Sequence, residues 1–183
     1  MAQQQHHSSG EDIAIHKVTP RDIGRLELVS SAIDEAGRME DRFTAYHDNI
    51  SPPLSWTRLL DAEAYALIVE DPDAPAEQPF VHWMIWNIPG SLGSLPPGLP
   101  PRPRLDHPKA AVQGRNAKGG FGYFGPRPPP GDGPHHYHFE LFALDKLLPM
   151  DPDTALSDLL NALKGNTIAE ADLVATYQGP AAQ

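Results

Sequence analysis

Three stretches of the chain carry apolar residues at the density of buried strands. Ala64–Asp71 (AYALIVED) and His82–Pro89 (HWMIWNIP) are rich in β-branched and aromatic residues and end at turn residues. His135–Asp145 (HHYHFELFALD) predicts a third, longer strand, and Leu26–Ile33 and Phe43–Tyr46 predict two weaker ones. A different period appears in Asp153–Leu163, where Leu156, Leu159, Leu160 and Leu163 follow the i, i+3, i+4, i+7 spacing of an amphipathic helix. Asp153 stands where it would cap that helix and Gly165 where it would stop it. Ile168–Tyr177 fits either a helix or a closing strand. The pattern predicts one β-rich domain with one or two helices over residues 21–183, preceded by a flexible tail over residues 1–20. His6 and His7 fall in that tail.

Between Pro89 and Pro134 the pattern breaks, with 12 prolines and 10 glycines among 46 residues. Regular helix and central strand are excluded there, because proline lacks the backbone donor. Long ordered loops inside a compact domain are usually functional. Trp56, Trp83 and Trp86 read as core side chains, Met39, Met84 and Met150 as fillers, and the lysines and arginines as scattered surface charge. The histidines at 47 and 107 carry no assignment.

Charge and cysteine content narrow the function. Lysine and arginine total 14 against 24 aspartates and glutamates, a net charge of −10 over 183 residues. Such a chain lacks the clustered cations that nucleic-acid binding requires, and anionic membranes repel it. With no cysteine, disulfides, thiolate metal sites and cysteine nucleophiles are excluded. No window approaches the roughly 18 continuous apolar residues of a membrane span. The amino terminus has no apolar signal region, so a cytoplasmic location is expected.

Candidate chemistry sits where the strands end. Asp71-Pro72-Asp73-Ala74-Pro75 leaves the first strand as a stiff exit, its prolines fixing the local backbone. In an extended chain the two carboxylates face one way; in a turn they bond to their own backbone. His82 begins the next strand. Strand alternation in the third puts His135, Tyr137 and Phe139 on one face and His136 and His138 on the other. An imidazole, a phenol and an aromatic floor beside Asp71 and His82 suit a phosphate or carboxylate ligand. A nearby aspartate favours the imidazolium form, so His82 and His135 are expected to stay partly charged near neutrality and donate to the anion. Asp71 would orient the imidazoles and disfavour a dianion, Tyr137 would add its hydroxyl, and Gly125 would let the backbone approach closely.

Several blocks, in order, resemble the phosphatidylethanolamine-binding protein family, also called Raf kinase inhibitor-like, in its bacterial and archaeal branch. They are Asn49-Ile50-Ser51-Pro52-Pro53-Leu54-Ser55-Trp56, Asp71-Pro72-Asp73-Ala74-Pro75, His82-Trp83, and Gly122-Tyr123-Phe124-Gly125-Pro126 with Pro128-Pro129. Gly133-Pro134-His135-His136-Tyr137-His138-Phe139 follows, and Ile168–Tyr177 closes the set. The resemblance implies an all-β fold of two antiparallel sheets with few helices and a small anion pocket at one end. It places pocket residues at Asp71, His82, Gly125, His135 and Tyr137, with Asp73 and Pro75 shaping the rim. It also implies a binding protein without turnover or cofactor. Its ligand would be a phosphate-containing small molecule, head group or phosphopeptide, and its partner a kinase or protease that it regulates or inhibits. His136 stands where the family usually has arginine, Ala175 where it has glycine, and Asn166 where it has histidine. The loop from Pro96 to Lys118 is unusually proline-dense.

Other readings compete with a pocket that binds an anion. Proline-rich loops that hold a target independently of the pocket would make a protein-interaction module. Asp71, His82, His135, His136 and His138 form a donor list that would suit zinc. An Asp71/Asp73 acid–base pair can hardly straddle a sugar from one five-residue turn, and no Gly-x-Ser-x-Gly elbow is present. An uncovered sheet edge would allow a homodimer.

Overall fold

The computed structural model describes residues 10–22 and 24–182. Eight strands form in chain order: β1 (Leu28–Val29), β2 (Leu54–Trp56), β3 (Ala64–Asp71), β4 (Phe80–Pro89), β5 (Ser94–Leu95), β6 (Val112–Gln113), β7 (His135–Leu144) and β8 (Thr167–Tyr177). One helix, α1 (Leu156–Leu163), precedes β8. A five-stranded antiparallel sheet has the order β6-β4-β3-β7-β8, and a three-stranded one the order β1-β2-β5. The chain is thus mostly β, in two antiparallel sheets. Among the described residues no helix is long and apolar enough to cross a membrane.

Strand β3 is buried along its whole length because both faces of the large sheet are covered. On one face Tyr65, Leu67 and Val69 join Trp83, Tyr137, Phe139 and Leu141 against Leu28, Leu54 and Trp56 of the small sheet. On the other, Ala66, Ile68, Met84, Trp86 and Phe142 pack against Leu159, Leu160 and Leu163 of α1. The period-2 and period-3.6 patterns therefore meet across one interface. Trp56, Trp83 and Trp86 are core side chains, as their apolar neighbours in the sequence suggest.

Some expectations are corrected. Ala14 and Val18 are almost fully buried in the α1-side core and Ile13 is also buried, so the second half of the expected tail is part of the domain. His6 and His7 lie outside the described residues. Phe43–Tyr46 is not a strand: Asp41–Phe43 makes a 3-10 turn that closes against the 123–126 loop. Only Leu28–Val29 of the 26–33 stretch pairs in a sheet. Helix α1 starts at Leu156 with Ala155 at its capping position and so has no side-chain cap, while Asp153, two residues earlier, accepts a 2.5 Å hydrogen bond from the Arg115 guanidinium. Gly165 does end the helical segment, at φ +79°. The undecided stretch at 168–177 is strand, hydrogen-bonded to β7 from Thr167 to Tyr177.

Antiparallel pairing also determines where the site lies. The carboxyl end of β3 is flanked by the amino-terminal ends of β4 and β7. Asp71, His82 and His135 therefore reach one end of the large sheet although 64 residues separate the first from the last.

Candidate functional site

Asp71 is the last residue of β3, and its two oxygens do different work. Oδ1 accepts the backbone N–H groups of Asp73 and Ala74 at 2.8 and 3.1 Å, closing the Asp-Pro-Asp turn. Oδ2 accepts the Nδ1–H of His135 at 2.8 Å, with both side chains 5% exposed. The self-bonding turn and the oriented imidazole are both present, one per oxygen.

His135 also donates from Nε2 to Asp132 Oδ2 at 3.4 Å. Burial works against its charge, but the Asp71 hydrogen bond and charge, joined by Asp132, outweigh it and raise its pKa above the ordinary value. Both carboxylates thus favour the charged form of this imidazole. Its two donors are already held by carboxylates.

His82 is the opposite case. Paired residues run Val69↔Trp83 and then Glu70↔Val81, which leaves His82 as an extra residue in a β-bulge. The bulge turns Trp83 toward the inter-sheet core and Val81 toward the α1 side, and His82 against Tyr137 at a ring separation of 5.1 Å. Its Nδ1–H donates to the Phe124 carbonyl at 2.5 Å, which leaves Nε2 as an acceptor. Burial pushes its pKa down to about 4, so the expected imidazolium is corrected: His82 is neutral at neutral pH.

Tyr137 shares the His135 face, as alternation requires, with its ring stacked 6.4 Å from the imidazole. Burial, reinforced by the Asp71 charge, pushes its phenol pKa up. Its buried hydroxyl has no hydrogen-bond partner among the described residues. Gly125 has a different role from the expected one. Its N–H donates to Asn49 Oδ1 at 2.7 Å, and a Cβ there would lie 2.4 Å from the Phe43 carbonyl oxygen. The close backbone approach is thus by residues 43–45, which wedge the loop in place.

Asp73 departs from the extended-chain expectation, since the turn carries it past the strand end. It accepts both the backbone N–H and the Nδ1–H of His136, at 2.8 and 2.7 Å. Burial opposes its charge, but the His136 bonds win and lower its pKa. His138 pairs instead with Asp172 at 2.8 Å. Three histidines thus go to different carboxylates, and no group of three or more such side chains among the described residues is arranged to hold a metal ion.

A cavity of about 180 Å³ opens over these groups. Asp71, His82 and His135 supply its polar wall, and Ala74, Pro75, Phe80, Phe124, Pro128 and Pro129 its apolar one. Lys118 and Arg127 also line it, which corrects their reading as scattered surface charge. The Lys118 ammonium lies 5.9 Å from the Phe80 ring and 5.8 Å from the Phe124 ring. Arg127 was legible as the residue inside Gly-Pro-Arg-Pro-Pro, whereas Lys118 comes from a glycine turn with no signal of its own. Tyr137 and Gly125 sit behind the cavity wall.

Known proteins match this architecture. The family model for phosphatidylethanolamine-binding protein matches residues 29–178. A UPF0098 protein of Methanothermobacter thermautotrophicus is 41% identical over 154 residues, covering 84% of this chain and 99% of its own. The Escherichia coli protein YbcL is 37% identical over 132 residues, spanning 71% of this chain and 72% of its own. The YbcL crystal structure, described as a new member of the mammalian family, superposes with a TM-score of 0.75 at 32% identity, over 85% of this chain and 99% of that one. A Chlamydia trachomatis homologue gives a TM-score of 0.74 at 33% identity, over 84% and 97% of the two chains. With the family's motifs converging on one end of the same fold, this chain belongs to the phosphatidylethanolamine-binding protein family.

Proposed function

We propose that the protein binds a small phosphate-bearing anion at the end of the large sheet and acts by occupancy rather than by turnover. The observation that carries the reading is the buried His135, its ring nitrogens held by Asp71 and Asp132, at the wall of an apolar cavity also lined by Lys118 and Arg127. A cavity of about 180 Å³ is smaller than a typical drug-sized pocket, and suits a head group or phosphate monoester. Neutral His82 adds an acceptor at Nε2 that pairs with a protonated phosphate oxygen. Together these favour a monoanionic phosphate over a dianion. The described residues that line the cavity include no serine, threonine or cysteine to pair with a histidine base. The occupied pocket would then bias the surrounding loops toward or away from a protein target such as a kinase or protease.

Calorimetric titration with inorganic phosphate and O-phosphorylethanolamine, on the wild type and on His135→Ala, tests the reading. Saturable binding that weakens as pH rises from 6 to 8.5, and that His135→Ala loses, is expected. Binding by the variant at wild-type strength would overturn it.

A further inference from the structure

His135 has two ring N–H groups, and a carboxylate already holds each. Any anion that reaches this imidazole must replace one of them. Asp71 is the fixed partner: its side chain is 5% exposed, its bond is 2.8 Å, and its second oxygen closes the turn at Asp73 and Ala74. Asp132 differs in each respect. Its side chain is 41% exposed, its bond to Nε2 is 3.4 Å, and its other oxygen accepts only the neighbouring Gly133 N–H, at 3.2 Å. No lysine or arginine among the described residues forms an ion pair with it.

The loop that presents Asp132 is held by its backbone. The Gly131 N–H donates to Pro180 O at 2.9 Å, the Asp132 N–H to Pro129 O at 3.1 Å, and Gln178 Nε2 to Asp132 O at 3.2 Å. Gly131 at φ +80° sets the turn, and proline flanks it on both sides. The carboxylate can therefore rotate off the imidazole while the chain behind it stays in place. His135 also forms the boundary between the main cavity and an outer hollow lined by Asp73, Asp132, Gly133 and Pro134.

We propose that Asp132 is an internal stand-in for the ligand's anionic group, and that ligand binding is an exchange of carboxylate for phosphate at His135 Nε2. The inference rests on the anion-binding reading and deepens it by naming the residue that sets affinity and charge preference. Affinity at this site is a difference, the hold of Nε2 on phosphate less its hold on Asp132. The groups facing His135 are Asp71 from β3, Asp73 from the turn, Asp132 from its own loop and neutral His82 from β4. A ligand carrying two negative charges meets all three of these carboxylates, so the exchange selects against it. A stray weak carboxylate ligand competes poorly with one already in place, which gives the pocket selectivity for stronger acceptors.

The test is calorimetric titration of inorganic phosphate into the wild type, Asp132→Asn, Asp132→Ala and His135→Ala, with the His135 ring nitrogens followed by NMR. Asp132→Ala should bind phosphate more tightly, by up to about fivefold, the scale of one partly exposed ion pair. Asp132→Asn should fall between it and the wild type, and His135 should titrate lower in both variants before ligand is added. Phosphate binding by Asp132→Ala alone would be the strongest support. If the wild type binds phosphate, His135→Ala does not, and neither Asp132 variant binds more tightly, the exchange is overturned while anion binding stands. Absence of binding in all four chains overturns both.

Discussion

Two pairs of buried ionisable residues lie on opposite faces of the same two strands, and they are built on opposite principles. At the inter-sheet face Asp71 of β3 meets His135 of β7, an acid with a base. At the α1 face the adjacent residue of β3, Glu70, is a diagonal neighbour of Glu140 on β7, an acid with an acid. Both glutamates are almost fully buried, and each holds one backbone N–H of the amino-terminal segment: Ala14 on Glu70 at 2.7 Å, and Ile15 on Glu140. Burial raises Glu70, and burial followed by the Glu70 charge raises Glu140 well above the ordinary carboxylate range. Acid with base keeps a charge at a cavity wall, where a ligand can use it. Acid with acid retains a proton and ties a chain segment to the sheet. One residue of strand register separates an acid–base pair at the cavity wall from a structural clasp.

Removing one partner of the charged pair should have the largest effect. Asp71→Ala leaves the His135 charge buried beside only Asp132, and such a broken pair costs about 3–5 kcal/mol. Urea unfolding at pH 6 should show a loss of that size, with His135 titrating at lower pH by NMR. An Asp71→Ala/His135→Phe double variant should recover much of the stability, since neither charge then remains. A full loss in the double variant would show that the turn bonds to Asp73 and Ala74, rather than the charge pair, dominate.

His82 and the glutamate pair should answer pH with opposite signs. His82 has its folded pKa depressed to about 4 from an ordinary 6.5, so the unfolded chain takes up the proton first as pH falls. Its contribution is complete above pH 6.5 and is lost toward pH 4, by up to about 3 kcal/mol. Urea midpoints between pH 7 and 4, alongside NMR of the His82 ring, check both the slope and its owner. A ring that titrates near 6.5 would remove this explanation.

The glutamate pair runs the other way, with a smaller effect. Its folded pKa values are raised, so its contribution is complete below the ordinary glutamate range and is lost as pH rises through the folded values. Glu140→Gln removes the second charge while keeping an acceptor for Ile15. Relative to the wild type it should gain about 1 kcal/mol at pH 8, with slower amide exchange at Ala14 and Ile15, and leave phosphate affinity unchanged. Equal pH dependence in the two proteins would detach the clasp from these carboxyls.

The sequence by itself determined what local chemistry dictates. Apolar density marked β3, β4 and β7, alternation put Tyr137 and Phe139 with His135, and the leucine spacing found α1. The motif order named the family. Asp153 was misjudged as a cap because the helix begins only at Leu156, which puts Ala155 at the capping position and leaves Asp153 to pair with Arg115. The amino-terminal segment looked like a tail because its few apolar residues gain value only against the glutamate pair and the α1-side core. Tertiary structure alone decided the bulge that turns His82 inward, the burial that neutralises it, and the arrival of Lys118 and Arg127 at the cavity. It also brought Asp132 onto His135 Nε2, from a loop that only the fold places there. These are long-range placements and desolvation energies, and neither is a property of any window of sequence.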